Sequence, residues 1–177
     1  MNQHDYMPDN VFRYELGKDP DRVQTMVKVM NFSPHREMVV NAVWDTGATF
    51  SSVSRRVVRE LALPDDGNAL SIGVNGQVIG HTSICLAFPG ARKWAALVEA
   101  SHLPDAPGMP DFIIGLDIIL LGDLRITRED GTSVLYFTFD KNVFVNFDDD
   151  TAEDAMRKIH GFRERLRRSR ERFSRKP

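Results

Sequence analysis

Apolar and polar residues alternate along most of the chain in short stretches broken by Gly, Pro and Asn, the period-two pattern of half-buried strands. Val23 to Met30 and Glu37 to Trp44 read as two strands joined by a turn over Asn31, Phe32, Ser33 and Pro34, where Pro34 fixes the backbone and removes a ladder donor. Ser54 to Leu61 breaks the pattern: Val57, Val58 and Leu61 fall at helical spacing and Pro64 stops the run, so one short helix is expected. Ser71 to Phe88 is β-like on both sides of Asn75-Gly76, a dipeptide suited to a tight turn, and predicts a protruding hairpin. Lys93 to Ala100, Phe112 to Ile114, Asp123 to Thr127, Thr132 to Phe139 and Val143 to Phe147 supply further strands, with a helical turn at Leu116 to Leu121. The expected class is all-β with one or two short helices.

The 177 residues are 42% hydrophobic and 27% charged, which excludes global disorder and a collagen-like repeat and fits one domain with an appendage. The longest apolar runs, Trp94 to Val98 and Ile118 to Leu121, fall far short of the roughly 20 residues of a membrane helix. Met1 to Asn10 is polar, so neither a span nor a secretory signal is expected. The lone Cys85 cannot form an intrachain disulfide and excludes a Cys-rich zinc module. The chain reads as cytoplasmic.

Charge changes the picture at the C-terminus. Of the formal net charge of −2, residues 151 to 177 carry ten Lys/Arg against four Asp/Glu, or +6, leaving −8 for the rest. The break falls at Asp148, Asp149 and Asp150. Beyond it Ala152, Ala155, Ile159, Phe162, Leu166, Ser169 and Phe173 keep a 3,4 spacing, with acids at the start and Arg at the end, both favourable to a helix dipole. The expected organisation is an N-terminal extension over 1–22, a β domain over 23–147 and a basic C-terminal helix over 148–177. The apolar seam of that helix can pair with a partner's seam or dock on the β body. Its Arg face can meet nucleic acid or an acidic partner, although the reading favoured here is a solvated basic face.

The segment richest in chemistry is Val43-Trp44-Asp45-Thr46-Gly47-Ala48-Thr49-Phe50-Ser51, where a carboxylate follows a strand end and small residues let the backbone turn sharply. Alone, Asp-Thr-Gly is an ordinary turn in which Asp45 bonds its own backbone. A second strand, Asp111-Phe112-Ile113-Ile114-Gly115, also ends in two apolar residues and a Gly, and Leu116-Asp117-Ile118-Ile119 follows it. With this pair of motifs the chain resembles the retropepsin-like aspartic proteases over about residues 23 to 147, and its Gly-Leu-Asp form is closer to cellular than to viral members.

The resemblance implies an acid-protease barrel and a homodimer in which Asp45 of both chains forms the active site. Thr46 would brace the two loops across the dimer, and Gly47 would bring its N-H to the carboxylate. The hairpin carrying Gly73, Val74, Asn75, Gly76 and Gln77 stands in the place of the family's flap, which closes over peptide; as a plain Asn-Gly turn it is a static hairpin. Ala48, the flap residues and Ile114 are the expected substrate contacts, with Phe50 and Ile79 further candidates for an apolar groove. Trp44 precedes the Asp where the family has a smaller aliphatic residue, so either the core or the pocket is reshaped.

Two close carboxylates suit amide hydrolysis because they hold one proton between them, so one activates water while the other protonates the carbonyl oxygen. His4, His35, His81, His102 and His160 are scattered, so no metal is expected, and no cofactor. Ser51, Ser52 and Ser54 lack a nucleophile elbow, and Gly73 to Gly80 lacks the Lys and helix of a phosphate loop. The reading is an aspartic endopeptidase acting on peptide or protein, with a catalytically silent, dimerising peptide- or partner-binding module of the same fold as the alternative.

Overall fold

The computed structural model describes residues 8–32, 34–64, 71–72, 78–89, 94–103, 106–140, 145–146, 154, 157–158 and 161. Strand β1 (Val11–Gly17) comes first, then the hairpin of β2 (Gln24–Phe32) and β3 (His35–Trp44), whose register runs from Gln24 opposite Val43 to Phe32 opposite His35. Alternation decides the faces: Thr25, Val27 and Val29 point inward from β2, as do Val40, Ala42 and Trp44 from β3. After the Asp45 loop come β4 (Ser52–Ser54) and α1 (Arg55–Glu60). Ser54 caps α1 by accepting from the Val57 N-H at 3.3 Å. Past its end, Ala62 adopts a left-handed φ of 49°, and Asn31 donates to the Leu61 and Ala62 carbonyls at 3.0 and 2.9 Å.

The chain continues through β5 (Ser71–Ile72), β6 (Val78–Ile79), β7 (His81–Ala87), β8 (Trp94–Leu103), β9 (Phe112–Ile114), α2 (Leu116–Ile119), β10 (Gly122–Glu129), β11 (Thr132–Phe139) and β12 (Val145–Asn146). Six strands in the order β8-β4-β9-β3-β2-β7 close into a barrel, because β7 also pairs with β8 over Thr82 to Leu86 and beyond. Two contacts in it, β3 with β9 and β4 with β8, are parallel, and both flank the Asp45 loop. The two-residue strands β5 and β6 pair as Ser71 with Ile79 and Ile72 with Val78; the expected tip, Gly73 to Gln77, lies outside the described residues.

A three-stranded sheet, β1-β11-β10, lies beside the barrel. β10 and β11 turn on Asp130 and Gly131, both at positive φ (47° and 80°), as a two-residue hairpin loop requires. The sheet's outer face carries a polar cluster in which Tyr136 Oη donates to Glu129 at 2.7 Å and Arg13 reaches Glu129 at 3.2 Å. The Tyr136 hydrogen bond holds the Glu129 carboxyl below its ordinary range. Its stabilising contribution is therefore present at neutral pH and is lost as pH falls through the folded-state value, below the unfolded one.

Barrel and sheet share one core. Phe12 from β1 and Phe137 and Phe139 from β11 meet Trp44 and Phe88, with Trp44 stacked on Phe88 at 5.7 Å and edge-on to Phe137 at 5.1 Å. The buried indole N-H of Trp44 donates to Thr25 Oγ1 at 3.0 Å. Residues 11–17, expected in an N-terminal extension, thus form a strand that pairs with β11 and places Phe12 in the core at 1% exposure. Cys85 is equally buried, and burial pushes its thiol well above the ordinary range, so it is an inert core side chain.

Of the expected basic helix, Asp154, Arg157, Lys158 and Gly161 are described and helical, with Arg157 paired to Asp154 at 3.4 Å; the rest lies outside the described residues. Among the described residues no helix is long and apolar enough to cross a membrane.

If β1 is integral to the domain, Phe12→Ala lowers the stability of the whole chain by about 3–5 kcal/mol, the cost of a buried Phe truncation. Urea unfolding should show the midpoint drop within one transition that still includes the Trp44 fluorescence change.

Candidate active site

Asp45 stands one residue past the end of β3, and the register of that strand aims it. Trp44 pairs with Ile114 across the parallel β3–β9 contact, and the Asp45 N-H donates to the Ile114 carbonyl at 3.0 Å, so the ladder extends into the loop. The chain then turns within three residues: the Ala48 N-H donates to the Asp45 carbonyl at 3.2 Å and the Gly47 N-H to Asp45 Oδ1 at 2.8 Å. That second bond fixes the carboxylate rotamer from its own loop and adds partial positive charge beside one oxygen. Asp45, Thr46 and Gly47 are all exposed, and Ala48 is half-buried.

The loop is clamped from behind by the second motif. The Leu116 N-H donates to the Ala48 carbonyl at 2.8 Å and the Asp117 N-H to the Thr49 carbonyl at 3.3 Å, so the start of α2 caps the loop's own carbonyls. Gly115 makes this approach possible. A Cβ there would stand 2.6 Å from the Phe50 carbonyl carbon and 2.9 Å from the Ala48 oxygen, so any side chain would push the segments apart. Ser51, wholly buried, joins them with its hydroxyl, which accepts from the Gly115 N-H at 3.1 Å and donates to Asp117 Oδ1 at 2.8 Å. Sequence reasoning missed this role: Ser51 and Asp117 lie 66 positions apart, and no local pattern marks a buried bridging hydroxyl.

Ile114, expected as a substrate contact, is 0% exposed. It sits at an inward position of β9 and serves the site through its backbone carbonyl, not its side chain. Trp44 reshapes the core and not the pocket, being 6% exposed within the aromatic cluster. Phe50, by contrast, is 54% exposed five residues after Asp45 and supplies apolar surface next to the loop. Gly73, Val74, Asn75, Gly76 and Gln77 lie outside the described residues. Among the described residues no group of three or more His, Cys, Asp or Glu side chains is placed to hold a metal ion.

Among solved structures, the chain is similar to a retropepsin-like aspartic protease from Rickettsia conorii, at 11% sequence identity and a TM-score of 0.48, over 73% of this chain and 94% of that one. It is also similar to the retroviral protease-like domain of Ddi1 from Leishmania major, at 19% identity and a TM-score of 0.39, over 72% of this chain and 98% of that one. The chain matches no protein-family model and no curated protein. The closed six-strand barrel with its few short helices is the all-β architecture expected from the sequence.

Ser51→Ala removes the acceptor for a buried backbone N-H and is expected to cost about 1–3 kcal/mol, while Ser51→Thr, which keeps the hydroxyl, should cost less. Chemical denaturation of both variants against the parent measures the difference.

Proposed function

We propose that this protein is an aspartic endopeptidase that hydrolyses peptide bonds as a homodimer, with one Asp45 from each chain. The observation that carries the reading is an exposed carboxylate held by the Gly47 N-H on a loop clamped from behind by Ile114, Gly115 and Leu116. A clamped loop pre-positions the carboxylate, so no reorganisation is needed when charge develops on the carbonyl oxygen.

In the dimer, two Asp45 carboxyl groups share one proton. The ionised member takes a proton from a water held between them as that water attacks the peptide carbonyl. The protonated member gives its proton to the carbonyl oxygen, and collapse of the tetrahedral intermediate passes a proton to the leaving amine. Thr46 braces the two loops across the dimer. Exposed Phe50 favours apolar side chains beside the scissile bond, and the segment from Gly73 to Gln77 covers the peptide as a flap. The cytoplasm is the proposed location, in keeping with a single buried thiol and no disulfide.

Incubation of the full chain with a diverse peptide library across pH, read by mass spectrometry, tests the reading. Asp45→Asn should lower kcat/KM by on the order of 10³-fold or more with the fold and dimer intact. A chain that dimerises and binds peptide but cleaves nothing is the binding module instead.

The rate should follow a bell-shaped pH profile, since only the singly protonated pair is active. Ala48→Ser places a hydroxyl in the same turn as Asp45, where a hydrogen bond to the ionised form favours it. Both limbs should slide to lower pH, which kcat/KM measured against pH on one peptide reveals.

A further inference from the structure

The outer wall of the barrel is wet on one side and dry on another, although all of it faces away from the barrel interior. Along β3 the outward positions Glu37, Val39 and Asn41 are exposed, Val39 to 52%. On β2, the next strand, Met26, Lys28 and Met30 are half-buried. On β7, next again, alternation turns Ile84, Leu86 and Phe88 into the barrel, so Cys85 and Ala87 point outward, and yet they are 1% and 8% exposed. A residue on the outer face of a sheet loses its water under a second layer. Further along the same face that cover ends, because Ser83 is half-buried and Glu99, opposite it on β8, is exposed. Among the described residues, the elements in substantial contact with β7 and β8 are β2, β4 and β12, which lie beside them in the sheet and not across this face.

The path of the chain points to the segment that supplies the layer. β12 pairs with the start of β8, Val145 with Ala95 and Asn146 with Trp94, and Ala95 in turn pairs with Ala87. The C-terminal segment thus leaves the sheet beside the row of Ala87, and the row of Cys85 stands two residues, roughly 7 Å, further along β8. In that segment Ala152, Ala155, Ile159, Phe162 and Leu166 make an apolar seam. Arg157, Lys158 and Gly161, which are helical and exposed, all fall away from the seam on a helix of 3.6 residues per turn. Small side chains at Cys85 and Ala87 leave room for the larger ones of the seam.

We infer that residues 152–166 dock in cis, by this seam, on the outer wall of the barrel over Cys85 and Ala87, as a strap that turns its Lys and Arg side chains to solvent. The strap makes the basic tail part of the fold. Only Gly80 separates β6 from β7, so a strap on β7 also braces the base of the β5–β6 hairpin. Asp45 takes no part in this contact, which stands or falls separately from the protease reading.

Cys85 is the only thiol of the chain, so its labelling by a maleimide reports on the strap. In the native full chain labelling should be slow, limited by opening of the cover. Ile159→Asp combined with Phe162→Asp should raise the rate by about tenfold or more, with the barrel still folded by near-ultraviolet circular dichroism, whereas Arg157→Ala combined with Lys158→Ala should leave it within about twofold of wild type. A second readout does not depend on how well the seam variant folds. Ala155→Cys, Ile159→Cys and Phe162→Cys, made singly, are oxidised with diamide, which takes up the two thiol hydrogens as the S–S bond forms. At least one of them should close an intramolecular disulfide with Cys85, seen as a faster monomer on a non-reducing gel, and Arg157→Cys should not. Rapid labelling of the wild type, a seam variant labelled as slowly as wild type, or seam cysteines that fail to bridge or bridge only between two chains overturns the inference.

Discussion

The backbone of Gly115 lies so close to Ala48 and Phe50 that a Cβ would fall within 3 Å of both, and the loop carrying Asp45 keeps its shape because of that approach. With the segments in contact, the orphan carbonyls of Ala48 and Thr49 find the first N-H groups of α2, and the Ser51 hydroxyl bridges to Gly115 and Asp117. The loop therefore has no slack through which Asp45 could wander. A short, exposed turn is made rigid by what stands behind it rather than by its own composition.

Behind that clamp lies the aromatic cluster, which ties the small sheet to the barrel. Trp44 is the residue where the two systems meet: its ring stacks with Phe12 and Phe88 and meets Phe137 edge-on, while its backbone pairs with Ile114 and hands the chain on to Asp45. The stability of the core and the geometry of the Asp45 loop are thus coupled through one side chain. A change in the outer sheet that disturbs Phe12 or Phe137 acts on the Asp45 loop through Trp44, without contacting it.

Much of this was legible in the sequence, and the failures have physical causes. Alternation marked β2 and β3 because one face of each is buried and the other is wet, and small residues after Trp44 marked the turn. β1 carries the same alternation, Phe12, Tyr14 and Leu16 against Arg13 and Glu15, but nothing nearby in the chain marks it as part of the domain, because it pairs with a strand more than a hundred residues away. Ile114 stands where the sequence leads one to expect a substrate contact, whereas its inward position on β9 makes it core. The sequence around Trp44 is compatible with pocket and core alike, and only the neighbouring rings, remote in the chain, place it in the core. The Ser51 bridge had no local signal at all, since a buried hydroxyl and a solvated one are spelled the same way.

The parallel contacts that flank Asp45 join strands remote in the chain, Trp44 with Ile114 and Val53 with His102, and β1 closes on β11 only through residues such as Thr138. Such long-range pairings form late, because the entropy of closing large loops is lost before the contacts repay it. On the ribosome, the β2–β3 hairpin can form as soon as it emerges, but the clamp on Asp45 must wait for Gly115 and the sheet must wait for Phe139. A nascent chain therefore carries no ordered Asp45 loop until most of its length has been made. Topology alone thus sets the ordering of the Asp45 loop late, after the strands on either side of it have been joined.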